Sequence, residues 1–240
     1  MAETAESEAA PPPAAAAAPP RPAADHRWAL TAVLTLNAAT GLVEAVAFAH
    51  LGGVFTAFVT GTVVLAGLQA AAGTFAMLIP YAVAFVGFII GAVAGGILLG
   101  RAPGIARGTL RGLAGEITLF VLAVLSYALL PEGGALVTLG LLSAGMAIQF
   151  SATKNLKVTD LGFAAATGLI HGLVTDFTRR SSVRLPRKIL ALVTLLAGGT
   201  VGGLVSAFSI PVALLIATGL VAAAAVTIAA GSRLTWSSAR

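Results

Sequence analysis

The chain has 240 residues, 58% of them hydrophobic and only 10% charged, with a formal net charge of +5. A soluble domain carries about 25% charged residues, so this composition excludes a soluble enzyme, a nucleic-acid module and a disordered protein. It indicates a polytopic α-helical membrane protein that contacts the lipid bilayer and no nucleic acid. No cysteine is present, which removes disulfides, thiolate metal sites and cysteine nucleophiles. His26, His50 and His171 lie in different segments without ligand spacing, so neither a metal nor a cofactor is expected.

Residues 1–27 are rich in Pro, Ala and Glu. With an acidic start and prolines in place of an apolar stretch, they do not read as a signal peptide. A disordered cytoplasmic tail is expected there. Eight apolar runs follow, at roughly 28–49, 54–72, 76–99, 114–130, 134–153, 161–176, 188–208 and 211–231. A span needs about 20 residues. The second and sixth runs are among the shortest, and each holds a Thr-Gly pair, Thr60-Gly61 and Thr167-Gly168. They are expected to be short broken or re-entrant segments. Residues 232–240 are expected to form a cytoplasmic C-terminal tail.

Loop charges support six crossings. Basic clusters stand at Arg21/Arg27, Arg101/Arg107/Arg111, Lys154/Lys157, Arg179–Lys188 and Arg233/Arg240. Eight crossings would put 101–111 outside, against the positive-inside bias. With runs two and six re-entrant, every basic cluster and both termini fall inside, as expected in a bacterial cytoplasmic (inner) membrane. Asp176 is expected to pair with Arg179 or Arg180 at the inner surface.

An internal repeat fits the same plan. Thr60-Gly61 recurs 107 positions later as Thr167-Gly168, and Gly91, Gly95 and Gly96 recur at the same offset as Gly198, Gly202 and Gly203. Glu44 and Gln149 stand 105 apart and read as counterparts. The repeats are expected at 28–130 and 134–231. Three spans per half force the halves into opposite orientations, the inverted-repeat plan of many secondary transporters.

ATGLVEAVAFAHLGGVFTAFVTGTVVLAGL (39–68) and IQFSATKNLKVTDLGFAAATGLIHGLVTD (148–176) resemble the two signatures of the YoaK-like family of bacterial membrane proteins. The resemblance covers about residues 28–230. It implies a membrane fold of about six spans and no established substrate. Against the family pattern, Glu44 stands where Asp is usual and Thr62 where Asn is usual. Phe150 replaces the Asn after Gln149, and Asn155 replaces a second basic residue.

Several residues could carry chemistry. Glu44 lies inside an apolar run, where a carboxylate costs roughly 2.5 kcal/mol or more. It reads either as a proton acceptor or cation ligand, or as a headgroup-facing residue at the outer end of its span. Gln149 reads as a solute ligand or as interhelical glue. Thr60, Gly61, Thr167 and Gly168 could open backbone groups to a ligand or pack helices closely. His171 reads as a proton relay or a packing residue. Gly87, Gly91, Gly95, Gly198 and Gly202 form small-residue packing faces. No nucleotide-binding loop, zinc-peptidase motif or nucleophile arrangement is found, so no enzymatic activity is expected. The reading that follows is a small-solute permease, proton-coupled through Glu44, with a non-transport scaffold as the alternative and a homodimer as a plausible assembly.

Overall fold

The computed structural model describes residues 27–130, 133–158, 166–178 and 185–237. Residues 1–26, Glu132, Asp160 and 179–184 lie outside these, and with them the tail and the expected Arg179 and Arg180 partners. The described residues form eight α-helices: α1 Arg27–His50, α2 Val59–Ala71, α3 Leu78–Gly100, α4 Ile105–Leu129, α5 Gly134–Asn155, α6 Ala166–Thr178, α7 Leu185–Ser206 and α8 Ile210–Ser237. All except α2 and α6 are long and apolar enough to cross a membrane. The 13 residues of α2 and of α6 reach about 20 Å at ~1.5 Å per residue, short of a hydrocarbon core of about 30 Å.

One expectation is corrected. Thr60-Gly61 and Thr167-Gly168 do not break their segments. Each pair lies within a continuous helix, and the irregular chain around α2 precedes it, at 51–58. α8 continues past 232 to Ser237, so the first residues of the expected C-terminal tail are helical.

The inner helices are α1 and α5. Their small residues, among them Ala32, Ala39 and Ala47 on α1 and Ala147 and Ala152 on α5, are buried. The outer helices turn bulky residues outward, such as Ile90 and Val93 on α3 and Val193 and Leu196 on α7. This is the arrangement lipid favours: small residues admit close backbone approach, while branched apolar side chains face the acyl chains.

The glycines set the register. A Cβ at Gly91 would overlap the carbonyl of Ala144, and one at Gly87 would sit 2.6 Å from the carbonyl oxygen of Gly140. A Cβ at Gly198 would overlap the carbonyl of Ala38, and one at Gly202 would lie 2.6 Å from the carbonyl oxygen of Leu42. Gly95 faces Ser151 and Ile148. Thus α3 runs parallel to α5, and α7 runs parallel to α1. The two seams correspond, since Gly91 on Ala144 matches Gly198 on Ala38, and Gly95 on Ile148 matches Gly202 on Leu42. Gly96 and Gly203 share the sequence offset but face open space.

Direction follows from the chain ends. Tyr81, near the start of α3, reaches Gly53, just past the end of α1, so α3 descends from the level at which α1 finishes. Trp28 at the start of α1 lies against Gly231 near the end of α8, and His50 at its other end meets Ser206 at the end of α7, Nε2 to Oγ 3.0 Å. α1, α4 and α7 therefore run one way and α3, α5 and α8 the other. The two halves are inverted with respect to each other.

Candidate functional site

Glu44 is buried in the last third of α1. Its carboxylate accepts from the backbone N–H of Thr56 at 3.0 Å, the Thr56 hydroxyl at 2.9 Å and the N–H of Ala57 at 2.5 Å. These donors belong to the chain that turns into α2. They precede Phe58, the N-cap of α2, so Glu44 satisfies the loop that leads into the helix. It clasps the 51–58 segment onto the bundle. Thr62 completes the clasp, its hydroxyl donating to the carbonyl of Phe55 at 2.8 Å, while Phe55 stacks on Phe48 with ring centroids 4.9 Å apart.

The Thr-Gly residues stand outside this clasp. Thr60 is exposed in the first turn of α2, and Gly61 packs under the Phe55 ring. On α6, Thr167, Gly168 and His171 are exposed. Asp176 pairs with Lys188 of α7, Nζ to carboxylate oxygen 2.6 Å; the expected partners Arg179 and Arg180 lie outside the described residues. Lys188 is reached because it lies along Gly172, whose missing side chain leaves room for the lysine's end.

Gln149 is fully buried on α5. Its Nε2 donates to the carbonyl of Leu36 at 3.2 Å and to the hydroxyl of Thr40 at 2.8 Å, both on α1. It thereby joins the two halves at their inner helices. Its Oε1 has no hydrogen-bond partner among the described residues. Gln149 and Glu44 are not counterparts. The seams pair Ala38 with Ala144 and Leu42 with Ile148, so Gln149 corresponds to Val43, and Glu44 to Phe150.

Glu116 was not among the candidates. It stands in the middle of α4, fully buried, and neither carboxylate oxygen has a partner among the described residues. The signal was there, since a carboxylate within an apolar run is itself a flag. It stands only two residues inside the 114–130 run, five after Arg111. In fact α4 starts at Ile105, and Arg107 and Arg111 are in its opening turns. Glu116 lies beside Gly145 of α5, where a built Cβ would be 3.6 Å from the Glu116 Cγ. Among the described residues no group of three or more His, Cys, Asp or Glu could hold a metal ion.

Residues 32–227 match the family described as protein of unknown function DUF1275. The chain is 31% identical over 171 residues to the UPF0700 transmembrane protein YoaK of Bacillus subtilis (strain 168), covering 69% of this chain and 74% of that relative. No solved structure gives a significant match. The match spans the long helices from α1 to α8: the chain is a multi-pass membrane protein and belongs to the DUF1275 family, the YoaK-like proteins of uncharacterised function.

Proposed function

We propose that this protein is a small-solute permease of the bacterial cytoplasmic membrane, proton-coupled, with both termini in the cytoplasm and no enzymatic activity. The observation that carries the reading is Gln149. Its amide crosses from the second half to α1 of the first, and its buried Oε1 is left without a donor. An unpaired buried amide oxygen costs about 1–3 kcal/mol, and a solute carrying an N–H or O–H would supply the missing bond. Inverted halves meeting at such a group are the architecture on which alternating access operates.

One observation favours the alternative, a non-transport scaffold: Glu44 is spent on holding the α2 entry and is not available to a passing ion. Flux separates the two readings. Protein reconstituted in liposomes with an internal pH-sensitive dye would be challenged with a panel of small polar solutes. A permease gives solute-dependent proton movement above empty liposomes, weakened by Gln149→Ala. Equal traces with and without protein across the panel would overturn the permease.

A further inference from the structure

Glu44 and Glu116 are the only carboxylates in the six long helices, and their surroundings are opposite. Glu44 has three donors. Glu116 has none among the described residues and no exposed surface. A carboxylate charge without donors or a cation is far more costly to bury than a neutral carboxyl.

Among the described residues no compensating charge faces it. On α5 the basic residue is Lys154, in the last turn, and on α3 the titratable side chain is Tyr81, near the opposite end from the α3–α4 turn. On α8 Arg233 lies close to the end of the helix, and on α1 Glu44 is engaged with 56–57. On α4 itself, Arg107 and Arg111 are in the opening turns and Tyr127 is in the last.

We infer that Glu116 is a reversible proton-binding site at mid-depth of the bundle, on the seam between α4 of the first half and α5 of the second. Gly145 gives it room on α5. Gln149 lies one turn further along the same face of α5, and Gly112, one turn before Glu116, faces Ile148 and Ala152. Glu116 and Gln149 therefore share one stretch of the seam. Protonated, Glu116 brings a donor to a seam that holds an unpaired acceptor. Ionised, it brings a further acceptor and a charge. Proton occupancy thus changes how well the halves close on each other, which is what a coupling site must do. The inference rests on the permease reading for its purpose, but proton binding is tested apart from flux.

The test is infrared spectroscopy of the full chain in lipid, recorded from neutral pH upward, where ordinary exposed carboxyls are already ionised. Wild type and Glu44→Gln should both show the carbonyl band of a protonated carboxylic acid. The band should disappear as pH rises, return when pH is lowered, and be missing from the Glu44→Gln background once Glu116→Gln is added. If Glu116→Gln does not fold, Glu44→Gln still decides, because Glu116 is then the one carboxylate left in the long helices. A band that never titrates, one that survives when Glu44→Gln and Glu116→Gln are combined, or none at any pH in Glu44→Gln would overturn the assignment. A titrating band in a protein without solute flux would leave the proton site standing and overturn the permease. Proton-coupled flux that persists unchanged in Glu116→Gln, with the band gone, would leave the proton site and the permease standing and overturn Glu116 as the coupling group.

Discussion

Tyr81 and Lys188 occupy corresponding places in the two halves and perform corresponding tasks with different chemistry. Each is near the start of its helix, α3 or α7, and the two are 107 positions apart. Tyr81 donates its hydroxyl to the carbonyl of Gly53 at 3.4 Å, on the chain leading into α2. Lys188 donates to Asp176 on α6 at 2.6 Å. Both short helices are thus tied to the third helix of their own half. One tie is neutral and long, the other ionic and short.

The ionic tie predicts a stability loss. Lys188→Met removes the cation that Asp176 has among the described residues. Breaking a buried pair costs 3–5 kcal/mol. Here the loss should be about 2–3 kcal/mol, because the Asp176 side chain is 20% exposed. Lys188→Met combined with Asp176→Asn should be less destabilised than Lys188→Met alone, since no lone charge remains. Thermal unfolding of both variants in detergent measures this.

The glycine seams predict a contrast that sequence repetition alone does not. Gly91→Leu and Gly198→Leu should each cost at least about 3 kcal/mol, because the first added carbon meets a backbone carbonyl that cannot move aside. Gly96→Leu and Gly203→Leu repeat at the same offset but face open space, and should be neutral or slightly stabilising through helix propensity. Unfolding temperatures of the four variants check it.

The same seams show what was legible in the sequence. The six long spans, the two short segments and the paired glycines could be read from run lengths and a common offset. The counterpart of Glu44 could not. In an alphabet dominated by Ala, Gly, Val and Leu a one-residue shift leaves the hydropathy pattern unchanged, and only the contacts Ala38–Gly198 and Ala144–Gly91 show that Gln149 matches Val43. Glu116 was hidden for a different reason: α4 begins with two arginines inside it, so the apolar run starts later than the helix does.

Glu44→Gln is expected to loosen the α2 entry. The amide keeps the shape of the carboxylate and, through its oxygen, the bonds from the Thr56 hydroxyl and Ala57 N–H. Its –NH₂ then faces the Thr56 N–H, donor against donor, where the carboxylate accepted at 3.0 Å. One unsatisfied buried donor costs about 1–3 kcal/mol. Hydrogen exchange should show faster exchange at Thr56 and Ala57, with α5 and α8 unchanged. Wild-type protection at those two amides would show that the clasp does not depend on the charge.

Orientation is the last prediction, and it follows from the inversion together with charge. α1 and α8 bring Trp28 and Gly231 together, so the described ends of the chain lie at one face of the membrane. Arg101, Arg107 and Arg111 lie in the α3–α4 turn and the opening of α4, which six crossings place at that same face. The opposite face carries His50, hydrogen-bonded to Ser206, and the loop with Glu132. Lys and Arg are retained on the cytoplasmic side, so the face with both ends should be cytoplasmic. Reporter fusions at Arg107 and Arg184 should report the cytoplasm, and a fusion at Glu132 the outside. The three sites are informative together, because a uniformly reversed protein would invert all three signals. An extra crossing by α2 alone would invert all three relative to the N-terminus and put the ends of the chain on opposite faces, contrary to the Trp28–Gly231 contact. A crossing by α6 alone would invert Arg184 but leave Arg107 and Glu132 in place. An outside signal at Arg184 alone would therefore point to a crossing by α6, and outside signals at both Arg107 and Arg184 would overturn either the six-crossing arrangement or its cytoplasmic orientation.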